Sequence, residues 1–387
     1  MRETVIVDAI RTPIGRHYGS LSDIHPVDLL AGIFNALVTR NHIDPSLVDD
    51  IIVGCVDQTG EQALNIARNA WLTGGLPESV PGTTVDRQCG SSLQAVHFAA
   101  QGVMAGVYDM AIAGGVEVMS RVPMGATLKQ GPGIPKTQSL RDRYQLDRPW
   151  FDQAVGAELI AHQWNLSREE LDAFSLTSHR RATQARETGK FDQEIVPVTI
   201  PGLDECILEQ DECIRTDTTL EKMAALKPAY SGLELLTAGN SSQICDAASA
   251  VLIMTPELAH ALGIRPRARF VSFSVVGVDP VTMLTGPILA TQKILTRSGL
   301  TVDDIGLFEV NEAFASVVLA WQREIHAPWN KINVNGGAIA LGHPLGATGT
   351  RIIATLLNAL EDRGQRYGLA TICEGGGLAN ATLIERL

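Results

Sequence analysis

The sequence lacks net positive charge, and this absence excludes a large class of partners. Its 387 residues carry a formal charge of −12 at pH 7. Nucleic-acid binding needs a basic face that neutralises phosphates, so we expect no nucleic-acid partner. One local exception lies between residues 118 and 150, where six Lys or Arg residues stand against two Asp residues. This excess fits an anionic ligand or an ordinary solvated loop equally well.

Long apolar runs, paired cysteines and metal-ligand clusters are also absent. No stretch approaches the ~18 consecutive apolar residues that cross a bilayer, and the N-terminus has no apolar signal-peptide core. We therefore predict no membrane span and a cytoplasmic location. The six cysteines form no CxxC pair and are too sparse for a disulfide framework, which leaves free thiols for chemistry. No candidate ligands have a recognisable metal-site spacing, so we predict no metal.

Short apolar strands alternate with amphipathic helices outside the middle of the chain. The N-terminal strands are predicted at 5–8, 51–55, 83–86 and 110–113, and the helices at 26–38, 63–72 and 93–107. This alternation predicts an α/β fold with a mostly parallel sheet covered by helices. Residues 118–244 depart from the alternation, with helices predicted at 153–164 and 168–187, and we interpret them as an inserted lid.

An internal repeat relates the two ends of the chain. Val-Asp-Asp-Ile precedes a strand at 48–51 and again at 302–305. Residues 84–86 are echoed by 333–335, and 111–115 by 370–375, with a separation near 250 residues throughout. Three matches in one order predict a duplicated βα unit.

Cys89 and His343 are the first candidates for nucleophilic chemistry. Cys89 lies where a strand turns into a helix, so its thiol faces the positive end of a helix dipole, which favours thiolate. Gly90 leaves room for a substrate, and Ser91 or Ser92 could cap the helix. His343 lies in the glycine-rich stretch 335–349 and could act as a base for a thiol. A small buried hydrophobe and a structural histidine are the ordinary alternatives for the two residues.

Cys373 and Asn311 follow two further predicted strands. Cys373 ends an apolar strand shortly before three glycines, so both halves of the repeat deliver a cysteine to a strand end. We interpret Cys55 and Cys245, by contrast, as buried strand-end cysteines. Asn311 follows the strand at 306–310, at the edge where open α/β sheets place their active sites, and could hold a water or donate to an oxyanion.

Together these motifs resemble the thiolase family. Cys89-Gly-Ser-Ser, Asn311-Glu-Ala-Phe, Gly-His343-Pro and Cys373-x-Gly375 occur in the family's order and spacing, and the resemblance covers the whole chain. It implies thiolase-like duplicated βα halves, with mixed sheets covered by helices, plus an inserted lid domain. We expect an N-terminal half at 1–117 plus 245–266, a CoA-binding lid at 118–244 and a C-terminal half at 267–387.

The resemblance implies thiolytic cleavage of 3-ketoacyl-CoA by CoA, giving acetyl-CoA or propionyl-CoA and a shortened acyl-CoA. Cys89 would carry the acyl group. His343 would activate Cys89 and form an oxyanion site with a water ordered by Asn311. Cys373 would protonate the departing carbanion and later deprotonate CoA. Backbone N–H groups of Cys89 and Gly375 would form a second oxyanion site.

The resemblance also indicates how CoA and the acyl chain are bound. CoA is expected as a substrate, with no tightly bound cofactor, and Arg215 and Ser242 stand at the family's CoA-contacting positions. Residues 152–154 read Asp-Gln-Ala where many acetyltransferases have His-Met-Gly, and residues 246–248 read Asp-Ala-Ala where the family has Asp-Gly-Ala. The first departure favours a degradative enzyme for medium, long or bulky chains, including sterol-derived ones. A homo-oligomer, either a dimer or a homotetramer, is also implied.

Several other functions remain open. The chain could be an acetyl-CoA acetyltransferase specific for acetoacetyl-CoA. A β-ketoacyl synthase generally pairs its nucleophile with two histidines, or with His and Asn, and lacks a second reactive cysteine, so Cys373 disfavours it. A non-catalytic acyl-CoA or lipid-binding relative is expected to have lost a catalytic position, and none is lost. A cysteine hydrolase built on Cys89 and His343 would leave Cys373 and the lid unexplained.

Overall fold

A computed structural model describes residues 2–130, 133, 135–145, 151–200 and 207–387. Its strands are β1 (Val5–Arg11), β2 (Gly15–Arg16), β3 (Asp50–Gly54), β4 (Gly82–Val85), β5 (Met110–Val118), β6 (Val198–Thr199), β7 (Ile207–Leu208), β8 (Cys245–Met254), β9 (Ala268–Gly277), β10 (Leu307–Val310), β11 (Tyr367–Glu374) and β12 (Leu378–Arg386). Its helices are α1 (Pro26–Arg40), α2 (Ile66–Thr73), α3 (Ser91–Ala105), α4 (Ala126–Gln130), α5 (Gln138–Tyr144), α6 (Gln153–Gln163), α7 (Arg168–Glu187), α8 (Leu220–Ala224), α9 (Pro256–Ala261), α10 (Gly286–Ser298), α11 (Ala315–Ile325), α12 (Ala338–Leu341) and α13 (Thr348–Asp362).

One mixed sheet organises the molecule, in the order β10-β11-β12-β9-β1-β8-β5-β3-β4, with β2 paired to β8. Only β3–β4, β3–β5 and β10–β11 are parallel, and the other pairs are antiparallel. The prediction of a mostly parallel sheet is therefore wrong. Parallel pairs lie near the two edges of the sheet, where helices connect the strands. The central strands, from β12 through β9, β1 and β8 to β5, pair antiparallel with one another.

The strand order confirms the duplication. Counting outward from the central β1–β9 junction, β8, β5 and β3 on one side correspond to β12, β11 and β10 on the other. The predicted echo at 333–335 forms no regular strand. A counterpart of β4 would pair with β10, and at that position the described residues form an isolated parallel bridge between Phe308 and Ile332.

Two helices that precede equivalent strands, α3 and α13, pack against each other on one face of the sheet, while α1 covers the other face of the N-terminal half. Side chains of β5 alternate between these layers, so all nine of its residues are buried. A strand covered on both faces reads as a continuous apolar run, as residues 110–116 of β5 do before Glu117.

Between β5 and β8 the described α-helices and strands are α4 to α8 and the short β6–β7 pair, and none of them joins the large sheet. Helices α6 and α7 match the predicted bounds closely, and α7 begins with a capping box between Ser167 and Glu170. The buried Arg11 of β1 ties this region to the sheet, because its guanidinium donates to Glu194 at 2.7 Å and to Asp211 at 2.6 Å. Among the described residues, no helix is long and apolar enough to span a bilayer.

Candidate active site

Cys89 lies in the turn between β4 and α3. The turn is closed by Gln88 in the left-handed region, with φ of 48°. The expected serine caps are wrong: Gly90 occupies the N-cap position and α3 has no side-chain cap. Ser91 instead bonds within the turn, accepting from Arg87 N–H, and Ser92 accepts from the backbone N–H of α13. These serines therefore fix the turn to its surroundings.

The Cys89 thiol is protonated at neutral pH and requires a base. Burial raises its pKa to about 12, and the charge of Glu374 adds to this effect. The neighbouring backbone N–H groups of Cys89 and Gly375 act in the opposite direction and lower this pKa. Backbone donors that favour negative charge beside a thiol suit acyl-transfer chemistry.

His343 is held in one tautomer. Its Nδ1 lies 2.7 Å from Thr348 Oγ1, and that hydroxyl donates to the Pro344 carbonyl at 2.8 Å. The hydroxyl must therefore accept from Nδ1–H, which leaves the Nε2 lone pair unprotonated. Nε2 lies 3.4 Å from Nδ2 of Asn311. Burial, followed by the charge of Arg351, lowers the His343 pKa to about 3, so the ring is a neutral acceptor.

Cys373 and Asn311 lie at one edge of the sheet, because the parallel strands β10 and β11 end there. Burial raises the pKa of Cys373 well above its ordinary value, and the charge of Cys89 is the next cause. A Cβ at Gly90 would lie 2.0 Å from Glu374 Oε1, so the turn of Cys89 contacts the strand end of Cys373. Gly375 follows β11 directly. The structure thus brings Cys89, Cys373 and Gly375 together, and it brings His343 together with Asn311.

A cavity of about 1280 Å³ opens at Cys89 and Gly375. Leu345, from the loop of His343, and Phe314, from the segment of Asn311, line the same cavity, so both groups of residues border it. Its remaining walls combine apolar with polar side chains, among them Val56, Met124, Leu128, Phe151, Met283, Asp57, Lys136, Asp152, Gln153 and Tyr230. This volume exceeds the ~300–1,000 Å³ of ordinary ligand pockets.

The two departures at 152–154 and 246–248 have clear structural roles. Asp152 caps α6, accepting from Ala154 N–H at 3.0 Å, and also accepts from the Tyr230 hydroxyl. Asp246 accepts from the Ser120 backbone and hydroxyl, and Ala247 lies buried in β8. Residues 152–154 line the large cavity, whereas 246–248 belong to the sheet.

The predicted CoA contacts lie to one side of this cavity. Arg215 lines a second, smaller cavity of about 200 Å³ with Lys222 and Gln243. The backbone N–H of Arg215 donates to His179 Nδ1 at 3.2 Å. Ser242 stands between Ser241, which lines the large cavity, and Gln243, which lines the small one. Arg215 itself does not border the cavity of Cys89.

Sequence reasoning missed three buried polar residues around the site. Thr348 fixes the histidine tautomer, and Glu374 places its carboxyl against Gly90. Glu117 accepts from the backbone N–H groups of Val56 and Gly346, each at 2.9 Å, and so joins a wall of the cavity to the loop of His343. The available signal was an acidic residue at the end of an apolar strand, which both glutamates provide. Within the described residues, no group of three or more His, Cys, Asp or Glu could hold a metal.

A thiol that needs a base, beside fixed N–H donors and a second thiol, has the chemistry of acyl transfer through a thioester. This chemistry and the duplicated α/β fold define the class, a cysteine-dependent acyltransferase. The family model of the thiolase N-terminal domain matches residues 4–257, and that of the thiolase C-terminal domain matches residues 264–386. The chain belongs to the thiolase family.

Similar proteins cover the full chain. It is 50% identical to the steroid 3-ketoacyl-CoA thiolase FadA6 of Mycobacterium tuberculosis, over 100% of this chain and 95% of that protein. It is 42% identical to the 3-ketoacyl-CoA thiolase of Bacillus subtilis, over 100% of both. The crystal structure of the Bacillus anthracis acetyl-CoA acetyltransferase matches with a TM-score of 0.92 and 38% identity, over 100% of this chain and 99% of that one.

Proposed function

We propose that this enzyme is a degradative thiolase that cleaves 3-ketoacyl-CoA with CoA through an acyl thioester on Cys89. The observation that carries the proposal is the paired thiols. The turn of Cys89 contacts the strand end of Cys373, because a Cβ at Gly90 would lie 2.0 Å from Glu374 Oε1, and Cys89 and Gly375 line the same cavity. One thiol can then carry the acyl group while the other moves a proton.

The first half-reaction begins with proton transfer from Cys89 to His343 Nε2, the nitrogen that its tautomer leaves free. The thiolate adds to the ketone carbon, and the developing oxyanion is stabilised by protonated His343 and a water held by Asn311. The bond between C2 and C3 breaks, leaving the acyl group on Cys89. Cys373 gives its proton to C2 of the departing CoA enolate.

The second half-reaction returns both thiols to their starting state. The Cys373 thiolate takes the proton of the incoming CoA thiol, and the CoA sulfur attacks the acyl–Cys89 thioester. Its carbonyl oxygen receives the backbone N–H groups of Cys89 and Gly375. The shortened acyl-CoA leaves, and the Cys89 thiolate recovers the proton held by His343.

The large cavity supports medium, long or bulky acyl chains, including ring-bearing, sterol-derived ones. A volume of about 1280 Å³ can accept far more than an acetyl group. The relative at 50% identity bears the name of a steroid 3-ketoacyl-CoA thiolase, which agrees with this choice. Arg215 and Ser242 are proposed to bind the nucleotide end of CoA, and the small cavity of Arg215 with Lys222 supplies the cations for its phosphates.

Cofactor use, assembly, location and domain bounds are proposed from the family resemblance. CoA acts as a substrate, with no tightly bound cofactor. The chain assembles as a homotetramer built from two dimers and works in the cytoplasm. Its halves are residues 1–117 plus 245–266 and residues 267–387, with the CoA-binding lid at 118–244.

Cleavage of a panel of 3-ketoacyl-CoAs, from acetoacetyl-CoA to ring-bearing chains, tests the proposal. We expect CoA-dependent turnover of the bulky members, which Cys89→Ala abolishes and the control Cys55→Ala retains. Turnover of acetoacetyl-CoA alone would instead identify an acetyl-CoA acetyltransferase. A folded enzyme that cleaves no member would favour the non-catalytic binding protein.

A further inference from the structure

Gln243 contacts the histidine loop through its backbone. It lies two residues before β8, and its carbonyl accepts from the His343 backbone N–H at 3.0 Å. The opposite side of the histidine is held by Thr348 at Nδ1. The position of the imidazole therefore depends directly on the position of Gln243.

The side chain of Gln243 joins two further segments. Its Nε2 donates to the Ile339 carbonyl of α12 at 2.8 Å and to the Cys213 carbonyl at 2.9 Å. Nε2 also lies 3.3 Å from the Ala340 carbonyl, so the two amide hydrogens serve three carbonyl acceptors. Its Oε1 lies 3.5 Å from Nη2 of Arg215, two residues after Cys213. One side chain thus links the small cavity to the helix before His343.

Helix α12 requires such an external tie. It has only four residues, which is too short to be stable alone. It ends at Gly342, whose φ of 100° allows the chain to reverse towards His343. Without the amide of Gln243, the Ile339 and Cys213 carbonyls would each lose a partner.

We propose that Gln243 is a positioning residue that couples occupancy of the Arg215 cavity by the nucleotide end of CoA to the placement of His343. This inference rests on the proposed function, because it takes Arg215 as a CoA contact and His343 as the base. When the nucleotide binds Arg215, the Gln243 amide, which contacts Arg215 and the Ile339 carbonyl, transmits that restraint to α12. His343 is then aligned before the thiol of CoA arrives.

Gln243→Leu keeps the volume and the backbone bond to His343, and removes only the side-chain hydrogen bonds. Small displacements of catalytic groups cost up to ~10²-fold, so we expect kcat to fall ~10- to 100-fold and KM for CoA to rise several-fold. The matched control is Gln322→Leu, which removes a glutamine Nε2 bond to the Ala327 carbonyl outside the site. We expect Gln322→Leu to leave both constants unchanged. The proposal would be overturned if both variants lost the same thermal stability and kept the kcat and the KM for CoA of the parent enzyme.

A double-mutant cycle with Arg215→Ala tests the coupling itself. We expect Arg215→Ala to weaken kcat/KM for CoA in the parent enzyme and to have a several-fold smaller effect in the Gln243→Leu background. Strict additivity would contradict the coupling. In Gln243→Glu, activity should fall as pH rises, because an ionised carboxylate would face two carbonyl oxygens; a profile matching the parent enzyme would count against the proposal.

Alkylation of Cys89 by iodoacetamide gives a readout that needs no ketoacyl substrate. Adenosine 3′,5′-bisphosphate, the nucleotide end of CoA, should accelerate alkylation several-fold in the parent enzyme and in Gln322→Leu, but not in Gln243→Leu. Equal acceleration in all three, or in none, would overturn the coupling. If the parent enzyme cleaved no 3-ketoacyl-CoA, the proposed function would fail, and this alkylation comparison would still decide the inference.

Discussion

Single residues determine the tautomer and the charge of His343. The Thr348 hydroxyl receives Nδ1–H, and the buried ring stays neutral, with a pKa lowered to about 3. The glycine-rich motif made His343 a candidate from sequence. It could not reveal Thr348, because no local pattern states which of several hydroxyls will meet a buried ring. The same kind of signal made Cys89 a candidate, because its strand–turn–helix context is local.

Replacing Thr348 with Val tests the tautomer. The variant keeps the shape and removes the acceptor of Nδ1–H, so the ring can rotate or change tautomer. We expect turnover to fall roughly 10- to 100-fold, a part of the 10²–10⁴-fold that a positioned base contributes. The control is Thr291→Val, which removes a buried hydroxyl bonded to Trp321. It should lower stability and leave turnover unchanged. Equal activity in both variants would exclude a role for Thr348.

Gly342 permits the turn into His343 and should not tolerate a side chain. Its φ is 100°, and a Cβ there would lie 2.8 Å from Cys245 Sγ. We expect Gly342→Ala to destabilise the protein by about 1–3 kcal/mol and to displace the histidine, with a clear loss of turnover. Thermal denaturation and steady-state kinetics measure both effects. Unchanged values would show that the loop relaxes without cost.

At the scale of secondary-structure elements, local sequence signals predicted the bounds of helices better than the pairing of strands. The bounds of helices α6 and α7 were predicted to within a residue, and local caps fix their starts: Asp152 caps α6, and a capping box between Ser167 and Glu170 begins α7. Strand direction in the sheet was not, because β1, β8, β9 and β12 pair across long sequence separations. The serine caps failed for a related reason: Ser92 contacts α13, more than 250 residues away in sequence.

Strand β10 carries a buried acid whose titration sets a pH dependence. Glu309 is 3% exposed, and burial raises its pKa to about 8 from an ordinary 4.5, although Arg351 opposes the shift. Between these values the folded state holds a proton that the unfolded state has lost, so the free energy of unfolding falls as pH rises.

Glu309→Gln removes this titration. Between pH 5 and 8 we expect the parent protein to lose on the order of a few kcal/mol more of its unfolding free energy than the variant. Urea denaturation at the two pH values measures this difference. Glu257→Gln, at an exposed position of α9, should behave like the parent. The same slope in all three proteins would show that Glu309 titrates normally.

At the scale of the whole molecule, α3 and α13 join the two halves of the site. A Cβ at Gly349 of α13 would lie 2.0 Å from the Leu93 nitrogen of α3, so the two helix backbones touch. Cys89 precedes α3, and His343 precedes α13. The repeat in the sequence predicted the two halves. It did not predict this close approach, which depends on how the halves dock.

Gly349→Ala should force the two helices apart. We expect a destabilisation of about 1–3 kcal/mol or more, together with a loss of turnover, because Cys89 and His343 would move relative to each other. Gly32→Ala is the control. A Cβ at Gly32, in α1, meets nothing within 4 Å, so this change should be neutral or stabilising by about 0.5–1 kcal/mol. Full activity in Gly349→Ala would show that the site does not depend on this contact.

The most direct test of the account is to trap the acyl-enzyme. The protein is mixed with a bulky 3-ketoacyl-CoA in the absence of free CoA and digested, and the masses of its cysteine peptides are measured. We predict one acyl group on Cys89, released when CoA is added. Acylation of Cys373 instead of Cys89, or cleavage of the substrate with no acyl group on any cysteine, would contradict the mechanism.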